Sequence, residues 1–158
     1  MKKVSIAAIS GILGALAGGV GANYFADKQL IKIEKKVDKF KNYYSMLNQW
    51  LLLKQDGKSL ADYFADKGIK TIAIYGMGEM GNRLYDELKQ TEIKVMYGID
   101  KEASSVYSEL EVIECEEISE GVDAIVVTAV FAFEEISEEL KHKVSFPIIS
   151  LEEVVYSI

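Results

Sequence analysis

The chain has 158 residues, a net charge of −7 and a pI of about 4.8. That length accommodates one modest domain with accessory segments, and that charge excludes the basic field a nucleic-acid binder requires. A single cysteine, Cys115, and a single histidine, His142, exclude an internal disulfide, a zinc-ligand cluster and a nucleophile–histidine set; no metal site is expected.

Residues 1–26 read as a membrane anchor. No charge falls between Lys3 and Asp27, and those 23 residues would span about 34 Å as a helix, enough for a bilayer core. Ser10, Gly14, Gly18 and Ala22 recur every fourth residue and form a small-residue ridge of the kind that lets membrane helices approach closely. Lysines 28, 32, 35, 36, 39 and 41 follow the apolar run, against Lys2 and Lys3 before it. Lysine excess marks the cytoplasmic side, so a single-pass protein with a cytoplasmic globular part is expected; the lone Cys115 suits that reducing compartment. The main rival is a signal peptide cleaved after Ala22, and a peripheral helix is the other.

Residues 27–56 form a stem, free of Gly and Pro as far as Gln55. Leu30, Ile33, Val37, Phe40, Tyr44, Leu47 and Leu51 recur at alternating spacings of three and four, an a/d seam. Tyr43, Met46, Trp50 and Leu53 make a second stripe that widens the apolar face toward the C-terminal end. Two readings stay open: one amphipathic helix packed on its own domain, or self-association through the first half with the second half docked. The seam and the ridge together predict a homo-oligomer, a parallel dimer being the simplest case. Gly57 then breaks the helix, Ser59 with Asp62 caps a short one, and Gly68 closes it.

Residues 59–158 alternate strand and helix. Strands are predicted at 70–76, 92–100, 110–114, 122–131 and 146–150, with helices at 79–90 and 134–143 and at the C-terminus. Apolar runs without period-two polarity indicate a parallel sheet covered on both faces, and right-handed crossovers order it 3-2-1-4-5. The fold class is therefore α/β, a five-stranded parallel Rossmann-like sheet preceded by a transmembrane helix and a long amphipathic helix.

Within "AIYGMGEMGNRLYDEL" (73–88), Gly76, Gly78 and Gly81 follow the first strand and open the first sheet-packed helix. There, main-chain N–H groups and the helix dipole face a pyrophosphate: Gly76 turns the chain, Gly78 admits the phosphate, and Gly81 lets helix and strand pack. Asp100 ends the second strand 19 residues after Gly81, where a carboxylate accepts hydrogen bonds from an adenosine ribose and disfavours a 2′-phosphate; the adjoining Lys101 softens that preference. The candidate NAD contacts are Gly76, Met77, Gly78, Glu79, Met80, Gly81, Asp100, Lys101 and, after the fourth strand, Thr128. Glu79 repels phosphate if it points inward and favours the helix N-terminus if it points outward. A loop that keeps this shape and binds nothing is the open alternative.

"KNYYSMLNQWLLLKQDGKSL", "IAIYGMGEMGNRLYDEL", "VMYGID" and "DAIVVTAVF" with "PIISLEEV" together resemble small Rossmann domains encoded with bacterial capsule and surface-polysaccharide genes, often labelled sugar-nucleotide epimerase-like. The resemblance covers roughly residues 40–158 and implies an NAD(P)-binding fold linked to polysaccharide or nucleotide-sugar metabolism. It assigns the phosphate loop to Gly76, Gly78 and Gly81 and the ribose to Asp100. Extended short-chain epimerases and reductases carry Tyr-x-x-x-Lys on a helix after the fourth or fifth strand. Here Tyr85/Lys89 and Tyr63/Lys67 have the spacing in the wrong places, and no substrate domain follows the fifth strand within these residues. The chain is accordingly expected to be a membrane-tethered dinucleotide- or nucleotide-sugar-binding module working with a partner enzyme. Its rivals are a subunit completed by a partner and a structural adaptor with a vestigial site.

Overall fold

The computed structural model describes residues 29–118 and 121–158. Helix α1 is Lys2–Gln55, and the chain divides into a first unit, Met1–Tyr44, and a second, Ser45–Ile158. The anchor expected at 1–26, with its small-residue ridge, lies outside the described residues. Among the described residues no helix is long and apolar enough to cross a membrane.

The boundary between units falls inside the expected stem. Within the second unit, Met46, Trp50 and Leu53 are buried, so the last turns of α1 belong to the globular core. Trp50 Nε1 donates to Glu87, which also accepts from Ser59 Oγ at 3.1 Å and Leu60 N at 2.8 Å and pairs with Lys54 Nζ at 3.2 Å. One nearly buried carboxylate thereby joins the end of α1, the start of α2 (Leu60–Asp66) and α3 (Glu79–Leu88). The α1 turn closes at Gly57 with a φ of +74°, and Ser59 and Asp62 cap α2 reciprocally.

The sheet is parallel, in the order β3-β2-β1-β4-β5. Its strands are β1 (Thr71–Tyr75), β2 (Lys94–Ile99), β3 (Val112–Ile113), β4 (Ala124–Val127) and β5 (Ile148–Ser150). Their β-branched and aromatic residues suit a pleated surface buried on both faces. Ala73, Tyr75, Ile125 and Val127 pack on one face with Ile136 and Leu140 of α4 (Phe133–Lys141). Ile74 faces the other way, toward Gly81 of α3. On that side α2 packs against both α3 and α5 (Leu151–Tyr156).

The fourth strand is shorter than the expected 122–131. It ends at Val127 because β1 ends at Tyr75, and a parallel ladder stops where its neighbour turns away. Thr128 then bonds the loop, and Val130–Ala132 form a 3-10 turn leading into α4. The β3 ladder is reduced to two residues, with a 3-10 turn at Cys115–Glu117 behind it.

Candidate functional site

Gly76 leaves β1 with a φ of +92°, a conformation L side chains rarely adopt, while its N–H donates to Ile99 O at 2.8 Å. A Cβ there would lie 2.9 Å from Thr128 Oγ1. A Cβ on Gly81 would lie 2.3 Å from Gly76 O, so the first turn of α3 rests directly on the loop's backbone. Gly78 differs: its φ of −73° is ordinary, and a Cβ there would meet nothing within 4 Å. It is the N-cap of α3 and supplies no side-chain cap, with the acidic Glu79 next in the first turn. Glu79, in that first turn, is exposed, and Met80 is half-buried.

Asp100 stands beside the loop. Its Oδ2 accepts from Met77 N at 2.9 Å and its Oδ1 from Glu102 N at 3.1 Å. Two of about four lone-pair positions are engaged. The carboxylate therefore orients the loop through the Met77 N–H. Met77 turns inward, 1% exposed, and its thioether lies over Gly98, where a Cβ would sit 2.5 Å from Met77 Cγ. Asn82, absent from the expected contacts, donates from Nδ2 to Met77 O at 3.2 Å and holds the next peptide of the loop.

The sequence-predicted residues divide accordingly. Gly76, Gly78, Gly81 and Asp100 are brought together around one loop, and exposed Lys101 lines the same crevice. Thr128 is 3% exposed, and its hydroxyl donates to Gly76 O at 2.6 Å, with Tyr75 O at 3.2 Å. Its role on this geometry is to tie the end of β4 to the turn.

A cleft of about 280 Å³ opens at the ends of β1, β2 and β4, lined by Tyr75, Gly76, Asp100, Ala129, Glu135 and Ile136 among others. This is where the strand order reverses, the usual ligand position in open α/β sheets. A larger cleft of about 540 Å³ runs past Phe131, Glu134, Glu152, Glu153 and Tyr156. It carries three carboxylates and no loop residue, whereas the smaller cleft carries Asp100 and Glu135 beside the cation Lys101 and includes Gly76 of the loop.

Two features of this region carry no sequence signal. The Tyr75 hydroxyl is buried without a hydrogen-bond partner among the described residues. Burial, with the charges of Cys115, Glu139 and Asp100 adding and Lys143 opposing, pushes its pKa up to about 12, so it stays protonated. Nearby, Lys143 Nζ donates to Cys115 Sγ at 3.4 Å and lies 3.4 Å from Glu116 and 3.5 Å from Glu139. Glu139 is an i,i+4 neighbour of Lys143, whereas Cys115 and Glu116 come from a distant segment that no spacing rule connects to it.

The two Tyr-x-x-x-Lys matches are structural. Tyr63 donates from its hydroxyl to Glu153 at 2.6 Å, and burial and that bond raise its pKa, the reverse of what a phenolate base requires. Lys89 pairs with Asp86 at 2.8 Å and Glu109 at 3.3 Å, its ammonium 5.5 Å from the Tyr85 ring centre. His142 is the exposed C-cap of α4.

No curated protein and no solved structure matches the chain. Residues 68–147, from the turn before β1 to the edge of β5, match the family described as C2185-like, N-terminal; that is just over half of the 158 residues, and the chain belongs to that family.

Proposed function

We propose that this chain is a membrane-tethered Rossmann-type module that binds a dinucleotide, NAD foremost, at the glycine loop. We assign it an accessory or regulatory role in surface-polysaccharide or nucleotide-sugar metabolism, beside a partner enzyme. One observation carries the binding reading: the start of α3, without a side-chain cap, opens at Gly78, where a Cβ would meet nothing within 4 Å, beside Asp100 and the switch-point cleft. An anion there meets main-chain donors and the positive end of a helix dipole. Asp100 retains lone pairs for a ribose diol and favours NAD over a 2′-phosphorylated cofactor. The tether rests on the uncharged 23-residue run before Asp27 and the lysines after it. The metabolic setting rests on the sequence resemblance over residues 40–158.

Thermal melts of residues 45–158 with NAD, NADH, NADP, a UDP-sugar and coenzyme A test the binding reading. Ligand at about 100 times its Kd stabilises a fold by roughly 2.7 kcal/mol, a clear rise in Tm. NAD is expected to produce that rise, and Gly78→Val to abolish it while leaving the unliganded Tm in place. A wild-type domain that no ligand of the panel stabilises would mean that the loop is a turn and nothing more.

A further inference from the structure

Tyr75 carries the one side-chain polar atom among the described residues that is buried without a hydrogen-bond partner. Native folds keep few such groups, because each forfeits its bonds to water and gains none inside. Its position gives the exception a use. Tyr75 ends β1, directly before the Gly76 turn, and its side chain lies on the α4 face of the sheet. The switch-point cleft opens on that face, with Tyr75, Ala129, Ala132 and Ile136 in its lining. The acids whose charges bear on the hydroxyl include Asp100, itself in the lining, and Glu139, one turn of α4 beyond Glu135 of the lining. The hydroxyl therefore lies against the cleft wall, and it is a donor because the phenol stays protonated well past neutral pH.

We propose that Tyr75 is a specificity-determining residue of the glycine-loop site, its hydroxyl donating to an uncharged acceptor on a heterocyclic base seated in the cleft. The inference rests on the reading of the loop as an anion site. The cleft selects the portion of ligand. Its lining is mostly apolar, and its volume of about 280 Å³ lies below the roughly 300–1,000 Å³ that holds a whole small molecule. It therefore suits a flat ring and leaves the phosphates to the loop. The charges around the hydroxyl select the acceptor. Asp100 and Glu139, with Lys143 opposing them, disfavour an anionic oxygen there, which leaves a ring nitrogen or a ring carbonyl. The hydroxyl is already stripped of water in the free protein, so its bond forms in the complex without further desolvation. A base without the acceptor leaves the donor unpaired and is rejected.

The test titrates the full chain in detergent, and its Tyr75→Phe variant, calorimetrically with ADP, UDP and inorganic pyrophosphate. Pyrophosphate carries the charge that the loop reads and no base. Wild type is expected to bind one nucleotide more tightly than pyrophosphate, ADP naming an adenine ring nitrogen and UDP a uracil carbonyl. Tyr75→Phe is expected to raise the Kd of that nucleotide about ten-fold or more, to leave the Kd of pyrophosphate unchanged, and to leave the unliganded Tm no lower. An unchanged nucleotide Kd in the variant, or a wild type that prefers neither nucleotide to pyrophosphate, overturns the proposal and spares the loop. An equal loss for pyrophosphate also overturns it, since the hydroxyl then acts through the loop. A lower unliganded Tm overturns it by revealing a partner within the protein. A wild type that binds none of the three removes the loop reading and the proposal together.

Discussion

Gly78 and Gly81 share a motif and answer to different forces. Gly81 is required by packing, since a Cβ there would sit 2.3 Å from the backbone oxygen of Gly76. Gly81→Ala is expected to cost about 1–3 kcal/mol, even after the gain in helix propensity, and a lowered urea midpoint would show it. Gly78→Ala should leave the midpoint within about 0.5 kcal/mol of wild type, because its φ is ordinary and its Cβ enters open space. Tyr75 poses the complementary case. Its hydroxyl is buried without a partner, so Tyr75→Phe removes a desolvated polar group and loses no bond. The variant should be as stable as wild type or more so, by up to about 1–3 kcal/mol in denaturant melts. A midpoint that falls instead would reveal a partner for the hydroxyl.

At the scale of elements, one carboxylate joins helices outside the sheet and another extends the ladder between two paired strands. Glu87 receives Trp50, Ser59 and the Leu60 N–H and pairs with Lys54, so Glu87→Ala strands several donors at once. A loss of about 2–4 kcal/mol is expected, with hydrogen exchange rising first in α2 and at the end of α1. Asp123 accepts from the Lys70 and Thr71 N–H groups at 2.8 Å each and lashes the start of β4 to the start of β1. Those two backbone bonds, foremost that from Lys70, hold its carboxyl below the usual range. The native pKa is the lower one, so its contribution is complete above the ordinary aspartate range and fades as pH falls through the lowered value. Asp123→Asn should flatten the loss of stability below about pH 4 and change its slope little above that, as read from urea midpoints across the acid range. An unchanged acid slope would show that the backbone bonds do not hold the proton off.

For the molecule as a whole, the decisive boundary is Tyr44/Ser45. Met46, Trp50 and Leu53 are each at most 6% exposed, so a protein begun at Ser59 lacks three core side chains as well as the Glu87 cluster. At roughly 1.5–3 kcal/mol per large apolar side chain, that loss approaches the full stability of a small domain. Residues 45–158 should therefore melt cooperatively, whereas residues 59–158 should melt much lower or aggregate. Circular dichroism melts of the two fragments decide it. Equal midpoints would place the end of α1 outside the cooperative unit.

Much of this was legible in the residues themselves. The strand order, the Gly76–Gly81 turn, the Ser59/Asp62 cap and the Gly57 and Gly68 stops follow from periodicity and from backbone stereochemistry, which act over a few residues and are written locally. Both readings of the stem set the stripe of Met46, Trp50 and Leu53 on the domain, and these three are buried there, but the residues that receive them were not legible, since an amphipathic pattern states that a face must be buried and not against which side chains. The ends of β4 and the role of Thr128 depended on where β1 turned away, a property of the neighbouring strand. Asp100 was visible as a carboxylate at the right distance from the glycines, but its bond to the Met77 N–H, the Asn82 bond to the Met77 carbonyl and the pairing of Lys143 with Cys115 were not. Those contacts join segments brought together only when the sheet assembles, and hydrogen bonds across such separations are set by tertiary geometry, which short-range spacing does not encode.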